Sequence, residues 1–214
     1  MNYKRIDTNG IEYLDTLQGT DEWYWGSDFC MGDLYEAEDL FQSNRAVKGN
    51  RLVFVKYPEG DVVEPIPQKE GQYFGSPIFF NGVIVILLVD FYENKIKVIS
   101  YHDESKELKT MAIIDRFEIT DSYKLLLHIS PLFLSGEGNG GIYKILWPER
   151  TEFHIEDNET IFQREDEILI SSIWTENPEY HEDIMIRRYP TGEILDRFSG
   201  NLIEMPDKQR WIVG

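Results

Sequence analysis

The sequence predicts an all-β chain assembled from repeated antiparallel hairpins. Three observations carry this. The first is a recurring grammar. Ile184 to Phe198 reads IMIRRYPTGEILDRF: an apolar alternation, the turn Tyr189-Pro190-Thr191-Gly192, and a second alternation. Arg51 to Ile66, Lys95 to Ile114 and Gly141 to Ile155 repeat it, each with a strand that ends on an aromatic residue before a short polar turn. Those aromatics, Tyr57, Tyr101, Trp147 and Tyr189, lie 44, 46 and 42 residues apart. The second observation is a further hairpin in front of each of the last three. One starts at Pro77 and turns at Asn81-Gly82, a pair that suits the positive φ of a two-residue hairpin loop. Another starts at Phe117 and turns at Asp121-Ser122, and a third starts at Thr160. The third observation is that no long stretch has helical periodicity.

Two hairpins in each repeat of about 45 residues make four strands, the content of a β-propeller blade. The N-terminal stretch Tyr3 to Leu17 fits the second hairpin of a repeat, with Ile6 in the aromatic position. The C-terminal stretch from Gly200 fits a first hairpin with no second. Joined, the two would complete a blade and remove two free sheet edges. The expected fold is therefore a single domain, residues 1–214: a five-bladed β-propeller of four-stranded blades, its ring closed by the N- and C-terminal strands. In size and repeat length the chain resembles the small tachylectin-type propeller lectins. The resemblance is one of architecture and carries over no ligand residues.

In order, residues 1–20 form the orphan hairpin and 21–67 the least regular blade. That blade holds Trp23, Tyr24 and Trp25, read as packing residues or else as an aromatic platform. Met31 to Phe41 reads as a helical turn or an irregular strand. Residues 68–115 form the clearest blade, with the apolar run Val83 to Val89 as a strand covered on both faces. Residues 116–158 and 159–198 are two more blades, and 199–214 the closing half.

An apolar content of 42% with 14% aromatics suffices for a packed core. Seven apolar residues from Val83 cannot span a bilayer, the N-terminus shows no signal-peptide core, and the single Cys30 excludes an internal disulfide. A cytoplasmic monomer is the expectation. With 21 basic against 39 acidic residues the net charge is −18. That repels phosphate backbones and anionic membranes, and it favours a basic partner.

Motifs of catalysis are lacking. Gly136, Gly138 and Gly141 have a G-x-G-x-x-G spacing but precede a predicted strand rather than a helix, so they read as a flexible loop. His102, His128, His154 and His181 lack zinc spacing, no calcium loop occurs, and Cys30 has no visible histidine partner. No cofactor or metal is expected. Asp28, Glu118 and Glu204 fall on or beside predicted innermost strands, where a glycosidase-like pair would have to sit. Asn158-Glu159-Thr160 matches a glycosylation acceptor by chance.

Binding residues are expected on the loops between second and third strands, since loops on a rigid scaffold carry function. These are Phe91 to Asn94, Leu134 to Gly141 and Thr175 to Asp183. They and their flanks offer Phe91, Tyr92, Glu93, Phe133, Glu137, Asn139, Trp174, Glu176, Asn177, Glu179, Tyr180 and His181. The expectation is a non-catalytic scaffold that holds a basic or polar protein on this face. A lectin-like carbohydrate binder is the alternative, and a glycosidase-like enzyme the third reading.

Overall fold

Strand occupies 51% of the chain and helix 7%, which makes the fold all-β. The computed structural model describes residues 3–28, 33–138, 140–176, 178–205 and 209–214, apart from the Tyr123 side chain. Cys30, Asn139 and Asn177 lie outside them. The chain forms two compact units, Met1–Ile129 and Ser130–Gly214.

In the first unit β1 (Asp15–Thr16), β2 (Trp23–Ser27), β3 (Leu52–Lys56) and β4 (Asp61–Val63) make one antiparallel sheet in chain order. The helix α1 (Leu34–Gln42) is inserted between β2 and β3. Its start is written locally: the Asp33 side chain accepts from the Tyr35 amide (2.7 Å) and Glu36 accepts from the Asp33 amide (2.9 Å), a capping box. A second sheet follows from β5 (Gln72–Phe74), β6 (Ile78–Phe80), β7 (Val83–Asp90), β8 (Lys95–His102) and β9 (Glu107–Asp115). Asn81 and Gly82 take φ of 49° and 84° between β6 and β7, as the hairpin signal requires. Both β5 and β6 pair with β7, one at each end, because Gly75-Ser76-Pro77 interrupts the edge and proline has no N–H for the ladder. The unit ends in β10 (Leu126–Ile129). Its core joins Leu17, Trp23, Leu52, Phe54 and Phe74 to Ile84, Ile86, Leu88, Ile99 and Tyr101, with Trp25 packed against it.

The second unit contains β11 (Leu132–Gly138), β12 (Ile142–Trp147) and β13 (Thr151–His154) as antiparallel neighbours. Next comes a four-stranded sheet of β14 (Glu159–Glu165), β15 (Ile168–Thr175), β16 (His181–Arg188) and β17 (Ile194–Ser199) in chain order. A two-stranded hairpin, β18 (Asn201–Glu204) and β19 (Arg210–Val213), ends the chain. Phe133, Tyr143, Ile145, Phe153, Ile161 and Leu169 form the core.

The repeat is visible in hydrogen bonds as well as in sequence. The Tyr57 amide donates to Glu22 O (2.7 Å), and the Gly60 amide to Lys56 O (2.6 Å). In the second unit the Tyr189 amide donates to Glu167 O (2.7 Å), and the Gly192 amide to Arg188 O (2.8 Å). Gly60 and Gly192 have φ of 74° and 73°, a conformation that a side chain would strain.

Three expectations change. Residues 3–14 form no strand, so the N-terminal hairpin meant for the last blade is missing and β1 joins the first sheet instead. Hydrogen bonds to that sheet replace strand pairing: Lys4 Nζ donates to Pro58 O (2.9 Å) and Arg51 Nη1 to Asn9 O (2.7 Å). The hairpin expected from Phe117 is a pair of 3-10 turns, Arg116–Glu118 and Ser122–Lys124, before β10. Both turns are held by the buried Glu38 carboxylate of α1, which accepts from Arg116 Nη1 (2.7 Å) and Ser122 Oγ (2.5 Å). The glycine-rich stretch after Leu134 is mostly β11, paired to β12 as far as Gly138.

Candidate functional site

The predicted binding residues divide by burial. Phe91 and Phe133 are fully buried. Phe91 packs on Phe41 with ring centroids 5.3 Å apart, and Phe133 belongs to the core of the second unit, so neither ring offers a surface. Tyr92 is half exposed; its hydroxyl donates to Glu70 (2.9 Å) and its ring covers Gly71. Glu93 is engaged with Lys97 (2.8 Å). These are turn-stabilising contacts within the first unit.

In the second unit Trp174 and Glu176 do come together, with partners the sequence reading missed. The β14–β15 register pairs Glu159 with Ile173. The residues before β14 therefore lie beside those at the end of β15. Glu156, Asp157 and Asn158 form one lip of a broad, open depression, and Trp174, Thr175 and Glu176 the other. Trp174 is 40% exposed. Three carboxylates line the depression with it: Glu156, Asp157 and Glu176. Asn158 has φ 62°, a left-handed conformation that asparagine tolerates. On the neighbouring strand Glu182 pairs with Trp174, and the Tyr180 hydroxyl donates to Glu182. That carboxylate pushes the Tyr180 hydroxyl above its ordinary range. Arg197 answers part of the negative charge, 2.7 Å from Asp183 and 3.7 Å from Glu156.

The lip stands on a buried ion pair. The Glu159 carboxylate accepts from Arg187 Nε (2.7 Å) and Nη2 (2.6 Å), Ser171 Oγ (2.5 Å) and the Glu156 amide (2.9 Å). Arg187 Nη1 donates to Gly192 O (2.6 Å). Burial pushes the Glu159 carboxyl up, but these donors, Arg187 first, outweigh it and hold the group below the usual carboxylate range.

Other candidates are committed elsewhere. Asp28 accepts from the Arg51 amide (3.0 Å), Glu118 sits on a 3-10 turn, and Glu204 lies 3.9 Å from Arg210. Gly136 and Gly138 belong to β11. His128 is buried in β10 and His154 is exposed. Among the described residues no group of three or more His, Cys, Asp or Glu side chains is arranged to hold a metal ion. No family model matches the chain, and no curated protein matches it.

Proposed function

We propose that this chain is a non-catalytic binding scaffold, working in the cytoplasm, that holds a basic segment of a partner protein against Trp174. The observation that carries the reading is a half-exposed tryptophan that lines one depression with Glu156, Asp157 and Glu176. A cation over a tryptophan face gains about 0.5–2 kcal/mol. The carboxylates attract and orient such a cation, and the net charge of −18 speeds its approach. An open, shallow surface suits a protein segment better than a small molecule, which needs enclosure. For the scaffold itself we propose a five-bladed propeller. In support, the strands among the described residues fall into five sheets, three of them four-stranded in chain order, and the aromatic-closed hairpin recurs in both units. No helix among the described residues is long and apolar enough to cross a membrane.

The test is calorimetric titration with a panel of arginine- and lysine-containing decapeptides. The wild type should bind at least one of them, more weakly as salt is added. Trp174→Ala and Glu176→Lys should each weaken that binding about tenfold, equivalent to about 1.4 kcal/mol. Equal affinity of all three proteins would overturn the assignment. A carbohydrate array signal that vanishes in Trp174→Ala but ignores salt would favour the lectin-like alternative, since an exposed indole also stacks on sugars.

A further inference from the structure

The N-terminal segment, irregular though it is, is anchored at several points on the first sheet. Lys4 Nζ donates to the carbonyls of Pro58 and Glu59. The Ile6 side chain lies against Gly60, where a Cβ would collide with it. Ile11 and Leu14 pack against Gly26, which lacks a side chain to push them away, and Ile11 is buried. Between the anchors the segment and the sheet line a partly open pocket of about 320 Å³. Its walls are Ile6 and Leu14 on one side and Tyr24, Val55, Tyr57 and Pro58 on the other. The charged residues lining it, Lys4 and Lys56, are both cations, in a chain of net charge −18.

The two ammonium groups are not equivalent. Lys56 is paired with Asp103 (3.0 Å), which raises its pKa, and the Glu59 and Glu22 charges act on it as well. Lys4 spends its hydrogen bonds on carbonyls and makes no ion pair among the described residues. Its charge is therefore available to an anion at the pocket. An ammonium offers three donors, so a further one remains beside the two carbonyl bonds.

We propose that this pocket binds a small amphiphilic carboxylate, its alkyl chain against Ile6, Leu14 and Val55 and its head group on Lys4. The size sets the class. Ligand pockets run from about 300 to 1,000 Å³, so this one takes a single medium-length chain rather than a long lipid or an oligosaccharide. The walls decide against sugars: a buried hydroxyl with no partner loses its hydration without compensation, and these walls are almost wholly apolar. Charge decides against a cationic amphiphile, which would face Lys4 and Lys56.

The experiment is calorimetry of the full chain with decanoate below its micelle concentration, beside 1-decanol and decyltrimethylammonium. Decanoate should bind with one-to-one stoichiometry, more tightly than decanol, and the cationic amphiphile should not bind. Lys4→Met keeps the apolar stem and removes the charge. It should weaken decanoate about tenfold and leave decanol unchanged, while Lys4→Arg should retain decanoate binding. Saturation transfer from the decanoate chain to the Tyr24 and Tyr57 rings of the wild type reads the site without any variant. Absence of saturable decanoate binding, or binding without transfer to those rings, would overturn the proposal. So would a Lys4→Met variant that folds and binds decanoate as tightly as the wild type.

Discussion

Two sheets of this molecule solve the same problem in opposite ways. The sheet centred on β7 in the first unit is apolar through its middle: Ile84 to Val89 are all buried, and Ile96, Val98 and Ile99 of the neighbouring strand β8 are buried beside them. The sheet centred on β15 in the second unit has Ser171 at its middle, fully buried, with Glu159 and Arg187 on the flanking strands, also buried. In the middle of the first sheet the stabilisation is dispersed over many weak contacts, and its buried carboxylate, Asp90, sits at the end of β7 rather than at its centre. In the second, one carboxylate with four donors fastens three separate places: the Glu156 lip, the middle of β15 and, through Arg187, the Gly192 turn. A non-directional core tolerates adjustment, whereas a satisfied buried ion pair is intact or badly wrong. The candidate site stands on the second kind of sheet, whose stiffness is directional and reaches its rim.

The largest effect should come from breaking the ion pair. Arg187→Met leaves Glu159 buried without its cation, and removal of one partner of a buried pair costs about 3–5 kcal/mol. The pH dependence makes the test specific. In the wild type the folded pKa of Glu159 lies below its ordinary value. Its contribution is complete above about pH 4.5 and is lost as pH falls through the lower folded value. In Arg187→Met burial dominates and the folded pKa rises above the ordinary one. The contribution is then complete at low pH and is lost as pH rises through that raised value. Asp90 in the first unit is also held low, by the Glu93 amide, Gln72 and Lys97. The signal must therefore be read locally, by hydrogen exchange of β15 amides as a function of pH. The same slope in both proteins would sink the account.

By contrast, Ile86→Ala in the centre of β7 should cost about 2–4 kcal/mol, with no change in pH slope. It probes the dispersed core directly, since Ile86 is wholly buried. A pH-dependent loss, read by urea denaturation at two pH values, would mean that the two sheets do not differ in kind.

The difference between the sheets also explains what could be read from sequence. The β7 sheet was legible because an apolar run and an Asn81-Gly82 turn are local signals. The hairpins closing on Tyr57, Tyr101, Trp147 and Tyr189 were legible for the same reason. Glu159 and Arg187 read as ordinary charged residues, since nothing local says that 28 positions apart they form a bidentate pair. The strand pairing expected for residues 3–14 and from Phe117 failed because distant groups, the sheet around Arg51 and the Glu38 carboxylate, claimed those segments. At the candidate site, the sequence reading placed Glu176 in a loop and Trp174 on its flank, and the structure puts both at the end of β15. Glu156, Asp157 and Asn158 were missed because their proximity is a product of the β14–β15 register. Phe91 and Phe133 were read as surface because they neighbour polar turns, yet each ring turns into a core.

Two glycines sharpen the comparison at smaller cost. Gly82 has φ 84° with open space where a side chain would go, so Gly82→Ala meets the conformational penalty alone, about 1–2 kcal/mol. Gly192 has a similar φ of 73°, but its Cβ would collide with the Phe153 ring, and its carbonyl accepts from Arg187. Gly192→Ala should therefore cost more than Gly82→Ala in thermal denaturation. Equal costs would mean that the Gly192 turn yields freely and is not tied to the ion pair.

The smallest effect on stability should come from Trp174→Ala, which tests whether the rim is separable from the sheet beneath it. The indole sits at the end of β15 opposite Glu182, 40% exposed, while the strand's packing rests on the buried Leu169, Ile170 and Ile173. Substitutions away from core and buried polar features stay within about 0.5 kcal/mol. Exchange protection of the Ser171 and Ile173 amides should therefore match the wild type, while peptide capture falls. If protection falls as well, Trp174 is a structural lid on the strand end and its exposed face is not a binding surface. If protection holds and capture falls, the sheet holds the rim in place while the rim contributes little to the sheet's stability, and surface residues there can change without cost to the fold.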